Sequence, residues 1–163
     1  VNVTPVAIVA LPIYYARLTL AQSATLQALL QQANAENALT KIFYGETNEH
    51  EDRDERPRVL LDMIDDFSRA KLDTTSWIGA GTVEALLEIP TPVQYQGAAN
   101  RRDARIWFYN QVGLMLQDVE ALAGTGGYLN IIASKITVIG RADPKDNNDE
   151  DFFVCALDLQ WQG

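Results

Sequence analysis

Histidine and cysteine are nearly absent: the 163-residue chain holds one of each. His50 lies in the charged run 46–56, and Cys155 lies in the apolar run 152–157. One cysteine permits no internal disulfide, which fits a reducing compartment or one where redox state is irrelevant. The same scarcity removes most routes to metal ligation and nucleophilic catalysis, since each needs several such side chains together. Long apolar runs are missing too. No stretch reaches the ~18 residues of a membrane helix, so no membrane partner is expected. The run Val6–Leu11 is short and has no basic region before it, so it does not read as a signal peptide. Basic charge is also scarce: 13 Lys and Arg stand against 22 Asp and Glu, a net charge of −9. That balance argues against a general DNA-binding surface, which must neutralise phosphates. It leaves room for a wall that DNA slides past without sticking.

What is present suits a globular domain. A chain of this length buries roughly 70% of the surface its unfolded form exposes, so neither a disulfide nor a metal is required. One domain is expected over residues 18–163, preceded by an arm over residues 1–17. Pro5 and Pro12 interrupt that arm and predict an extended segment with at most a short strand or turn. It either packs on the body or is exchanged with a partner.

Apolar spacing then predicts the elements. Thr19 and Gln22 have capping-box spacing, and Leu26, Leu29, Leu30 and Ala33 share one face, predicting a helix over Leu20–Ala33. Asn34, Glu36 and Asn37 mark its end. Strands are expected over Leu39–Tyr44, Pro57–Ile64 and Val83–Ile89, with the polar stretch Asp65–Ser76 as a loop or helical turn. In Val83–Ile89, Glu84 and Glu88 alternate with an apolar face. Ile106, Tyr109, Val112, Leu116, Val119 and Ala123 recur at intervals of three and four, predicting a long helix over Arg101–Ala123. Asn100 can cap its start and Gly124 its end. A closing β-hairpin follows, its return strand placing Phe153, Cys155, Leu157, Leu159 and Trp161 on one face. Helices and strands do not alternate regularly. The expected class is therefore α+β, a mainly antiparallel sheet with two amphipathic helices packed on one face.

The candidate chemistry is thin. Asp62, Asp65 and Asp66 offer paired carboxylates of the kind a magnesium-dependent nuclease or hydrolase uses, or simply a solvated strand end. Asp143, Asp146, Asp149 and Asp151 lack EF-hand spacing and read as an acidic loop tip. Gly124–Gly127 lacks the Lys-Ser/Thr of a phosphate-binding loop and follows a helix rather than opening one. His50 has no evident group to orient it as a base. No catalytic residue, metal ligand or cofactor is expected. Arg101, Arg102 and Arg105 cluster at a helix N-terminus, where positive charge is mildly unfavourable. They suit either an acidic neighbour or plain solvation. Trp77 and Trp107 are candidate interface anchors, since Trp is enriched at binding hot spots.

The order of elements resembles the tail-terminator (tail-completion) proteins of long-tailed bacteriophages. The helix Leu20–Ala33 leads into Lys41-Ile-Phe-Tyr-Gly45, then a strand opens at Arg56-Pro-Arg-Val-Leu60. Val83–Pro90, the long helix and a hairpin ending in Asp158-Leu-Gln-Trp161 follow. The resemblance spans residues 18–163; the arm and the long loop 142–150 depart from it. It implies a non-catalytic virion protein that forms a ring, typically hexameric, on the end of a completed tail tube. The ring stops tube polymerisation and presents a surface to a head-completion or connector protein. It sits at the head-tail interface of the virion after assembly in the host cytoplasm, and DNA passes through without specific binding. On that reading the lumen or an axial neighbour meets Glu46, Glu49, Glu51, Asp52, Asp54 and Glu55 of loop 46–56, or Asp143, Lys145, Asp146 and Asp149 of loop 142–150. The alternatives are a head-tail connector or tube component, a nuclease or hydrolase using Asp62, Asp65 and Asp66, and an adaptor domain.

Overall fold

The structure, a computed structural model, describes residues 11–45, 56–71, 77–122, 130–142 and 152–162. For residues 11, 64–71, 77–80, 130–142 and 160–162 it describes the backbone alone. The chain runs α1 (Leu11–Ala21), α2 (Ala24–Leu29), α3 (Ala35–Leu39), β1 (Ile42–Tyr44), β2 (Arg58–Lys71), β3 (Trp77–Pro90), α4 (Arg101–Leu122), β4 (Asn130–Ala142) and β5 (Phe152–Gln162). The five strands form one sheet in the order β1-β2-β3-β5-β4. β1 runs parallel to β2, and every other pairing is antiparallel. The fold is α+β, with β4 and β5 as the closing hairpin.

Period-two alternation decides which face is covered. Val59 and Leu61 of β2, Val83, Ala85, Leu87 and Ile89 of β3, and Phe153, Cys155, Leu157 and Leu159 of β5 are all buried. The same cluster takes in Ala16, Leu20, Leu26 and Leu30 from the N-terminal helices and Phe108, Val112, Met115 and Val119 from α4. The helices therefore lie on one face, as expected. No described helix is long and apolar enough to cross a membrane.

The N-terminal third departs from the sequence reading. Residues 11–17 are not an extended arm: they open α1, and the expected domain boundary at residues 17 and 18 falls inside this helix. Pro12 is tolerated because it sits in the first turn, where its missing N–H would be unpaired anyway. The helix expected over Leu20–Ala33 is broken. Thr19 does not cap it; its hydroxyl donates back to the Tyr15 carbonyl at 2.8 Å, as a mid-helix threonine does. Ser23 is the true cap, and its Oγ accepts from the Leu26 N–H at 3.2 Å. Gln31, at φ 58°, turns the chain out of α2. Asn34 then caps α3, accepting from the Asn37 N–H at 2.8 Å, so these residues start a helix rather than end one. Arg17 ties the pieces together. Its Nε donates to the Ile42 carbonyl at 2.9 Å, another of its nitrogens donates to the Leu39 carbonyl, and its guanidinium lies 5.5 Å from the Tyr44 ring centre.

Ser23 also donates to Asp118 Oδ2 at 2.7 Å, which joins the cap of α2 to α4. The Thr25 N–H reaches the same oxygen at 3.3 Å. Burial alone would raise the Asp118 carboxyl, but these hydrogen bonds outweigh it and hold it below the ordinary aspartate value. The contribution of a carboxylate with a lowered value is full above the unfolded value and is lost as pH falls through the folded one. Asp118→Ala is expected to cost about 1 kcal/mol in urea denaturation at neutral pH. The margin of the wild type over Asp118→Asn should close as pH drops below the ordinary carboxylate range.

Two strands run longer than their composition suggests. β2 continues through Asp65 and Asp66 to Lys71, where a loop or turn was expected, and β3 begins at Trp77. The backbone ladder from Arg58↔Glu88 to Lys71↔Trp77 holds this stretch, with an irregularity between Ile64 and Ser68. Ladder pairing leaves no apolar signature in the sequence, and the irregularity breaks the alternation that would reveal a strand. β1 is shorter than expected because Ala35–Leu39 is helical.

Candidate functional site

One end of the sheet carries Arg56 and Phe152, the described residues that directly follow the two charged segments. β2 starts there at Arg58, which pairs with Glu88; Glu88 in turn pairs with Val154 of β5. Pro90, Phe152 and Ala142 form the last cross-strand row. The expected loop residues Glu46, Glu49, Glu51, Asp52, Asp54 and Glu55, and likewise Asp143, Lys145, Asp146 and Asp149, lie outside the described residues. Their attachment points do not. Arg56 ends the first charged run and Phe152 follows the second, and the Arg56 guanidinium sits 3.8 Å from the Phe152 ring centre. The Gly45 N–H, just before residue 46, donates to the Leu61 carbonyl at 2.8 Å.

The attachment is fixed by an ion cluster. Arg56 Nε donates to Glu88 Oε2 at 2.6 Å, and Arg58 Nη2 lies 3.1 Å from Glu88 Oε1. Arg58 and Glu88 are only 1% and 2% exposed. Arg58 and Glu88 alternate with the core residues Val59, Leu87 and Ile89, which puts them on the sheet face opposite the core. The sequence placed Glu88 correctly on that face but read it as a plain polar position. Its signal was available: two arginines around Pro57 open a strand whose neighbour carries a single acid at the matching register.

Charge is distributed accordingly. Residues 46–55 hold six acids and one arginine, and residues 143–151 hold five acids and one lysine. The rest of the chain has eleven acids and eleven bases, so the whole net charge of −9 resides in these two segments.

α4 enters over the same end. Phe108 stacks on Phe153, ring centres 4.6 Å apart and planes within 5°. Trp107 is half-buried, 5.7 Å from Tyr95 and 6.4 Å from Phe153. Its ring thus packs within its own chain. A cleft of about 560 Å³ lies between Tyr95 and α4, lined by Arg102, Asp103, Ile106, Trp107, Asn110 and Gln111. Arg101, Arg102 and Arg105 are exposed, and Arg105 reaches the Tyr109 hydroxyl at 3.3 Å. The helix is rotated from its sequence reading. Ile106 and Tyr109 are exposed, whereas Ala104, Phe108 and Met115 join Val112, Leu116 and Val119 in the buried arc. Trp77 opens β3, where only the backbone is described.

The remaining candidates do not come together. Asp62 is half-buried and its Oδ1 accepts from the Met63 N–H at 2.8 Å. Asp65 and Asp66 fall on the β2 irregularity, with their side chains outside the description. His50 and Gly124–Gly127 also lie outside the described residues. Among the described residues, no group of three or more His, Cys, Asp or Glu side chains converges. Cys155 is buried between strands, and burial pushes its thiol up to about 11. Thiolate is the reactive form. Native protein at neutral pH should therefore resist iodoacetamide, and urea-unfolded protein should be modified at this one cysteine, as read by intact mass. No protein-family model matches the chain, and a search of curated proteins finds no match.

Proposed function

We propose that this chain is a structural virion protein that caps the end of a phage tail tube as a ring, the role of the tail-terminator proteins that its element order resembles.

 The single observation that carries this reading is the placement of charge. All of the net −9 resides in two segments, and the residues that directly follow them, Arg56 and Phe152, meet at one end of the sheet. Arranged around a pore, such segments would form an acidic rim. A rim of that sign repels the phosphate backbone and lets DNA pass without binding. The partners of the ring would be the tail-tube protein on one side and a head-completion or connector protein on the other. A tube component is the second reading, favoured by the outer edge of β4, which pairs with no strand among the described residues. Open strand edges template pairing with further chains.

Electron microscopy of polymerising tail tubes, with and without the gold-labelled protein, separates the two. A terminator labels one tube end and stops growth. A tube component polymerises on its own into long tubes. Unlabelled tubes with unchanged growth would overturn both readings.

A further inference from the structure

The last row of the sheet, Pro90, Phe152 and Ala142, is weakly paired on both sides of β5. Pro90 has no N–H to give the row. On the other side the β4–β5 register shifts between Val138 and Gly140, which sets the pairs from Gly140 to Ala142 apart from the rest of the ladder. Side chains therefore matter more here than backbone pairing, and they hold the first two residues of β5 differently. Phe153 is fully buried and stacks on Phe108 in the core. Phe152 takes the other face by alternation and is half-buried, with the Arg56 guanidinium 3.8 Å from its ring centre. The same guanidinium donates from Nε to Glu88 Oε2. Glu88 does not depend on it. Arg58 Nη2 donates to both Glu88 oxygens, at 3.1 and 3.4 Å. The Arg56 side chain is 14% exposed, against 2% for that of Arg58. Arg56 is thus the outer member of the cluster, and its departure leaves the buried pair in place.

We propose that Arg56 is a latch on the start of β5. Engaged, it clasps Phe152 to Glu88 and so joins the first residue of β5 to β3. Released, it lets Phe152 leave the row, while Phe153 stays in the core and stops the opening there. Such local opening needs no global unfolding. Arg56 directly follows residues 46–55, and Phe152 directly follows residues 143–151. A partner that draws Arg56 off the row therefore frees the backbone where β5 enters the sheet, and one that lifts Phe152 loosens Arg56. Coupling of this kind is reciprocal. The latch does not rest on the ring reading and holds whichever assembly the chain joins.

Hydrogen exchange of the full chain, followed by NMR alongside thermal melts, tests it in both directions. In Arg56→Gln the Phe152 and Phe153 amides should exchange faster by about tenfold, the effect of losing one hydrogen bond to a charged group. The Leu157 and Leu159 amides should keep their wild-type rates. Arg56→Lys keeps the charge but not the planar fork, and should fall between wild type and Arg56→Gln. Phe152→Leu leaves the ion cluster intact, yet it should speed exchange of the Arg56 Nε–H severalfold, which a merely local contact at Phe152 does not do. Unchanged exchange at Phe152 and Phe153 in Arg56→Gln would overturn the latch. So would a rise spread equally to Leu157 and Leu159 with a matching fall in melting temperature, since Arg56 would then only stabilise the whole fold. If Arg56→Gln does not fold, Phe152→Leu decides: an Arg56 Nε–H with its wild-type rate removes the proposal.

Discussion

Glu88→Ala should destabilise the protein by about 3–5 kcal/mol, the loss seen when one partner of a buried ion pair is removed. Glu88 is 2% exposed and receives both Arg56, at 2.6 Å, and Arg58, at 3.1 Å. An arginine does not shed its charge to escape burial. Truncating the carboxylate therefore leaves the Arg58 cation in a site that excludes water. For a domain of this size each kcal/mol moves the melting temperature by ~2–4 °C, so a drop on the order of 10 °C is expected. Replacing the pair jointly, Arg58→Met with Glu88→Leu, should recover much of the loss. The net worth of a buried pair is small even though breaking it is costly. Thermal and urea denaturation of the two variants checks both halves. A Glu88→Ala protein as stable as the wild type would rule out the buried cluster.

Phe108→Ala should cost about 3–5 kcal/mol, the usual range for emptying a buried aromatic site. Phe108 is 0% exposed, and its ring lies 4.6 Å from that of Phe153, itself 1% exposed. Part of the loss belongs to the pair. A double-mutant cycle with Phe153→Ala should return a coupling of about 0.5–1.5 kcal/mol. Tyr109→Ala is the control, because Tyr109 is 42% exposed on the next position of the same helix. Its expected effect is within about 0.5 kcal/mol. The ratio of the two losses, from urea denaturation, measures the rotation of α4. Equal losses would place the helix as its apolar spacing alone suggested.

That rotation shows where sequence reasoning stops. Spacing reveals that α4 is a helix, but Ile106 and Tyr109 fit an apolar stripe as well as Phe108 and Met115 do. Only the aromatic partner on β5 decides between the two arcs. The strands β3 and β5 were legible because both bury an unbroken alternation, Val83 to Ile89 and Phe153 to Leu159. The N-terminal helices were not. Three polar residues each have two local uses: Thr19 and Ser23 are both possible caps, and Asn34 both ends and starts helices. Tertiary partners such as Asp118 on α4 settle which use prevails. At the charged end of the sheet, the acidic runs stood out in the sequence. Their common anchorage through Arg56 did not, because it depends on β5 lying beside β3.

The sheet order also bears on how the chain is made. β3 sits between β2, its immediate predecessor, and β5, which is synthesised only after α4 and β4. During translation the β2–β3 hairpin emerges with one edge of β3 open and with Val83, Ala85, Leu87 and Ile89 lacking the core partners that α4 and β5 supply. Such unpaired edges beside apolar surface are prone to aggregate. The nascent chain therefore passes through a vulnerable stage that ends when β5 inserts and pairs Ile89 with Phe153.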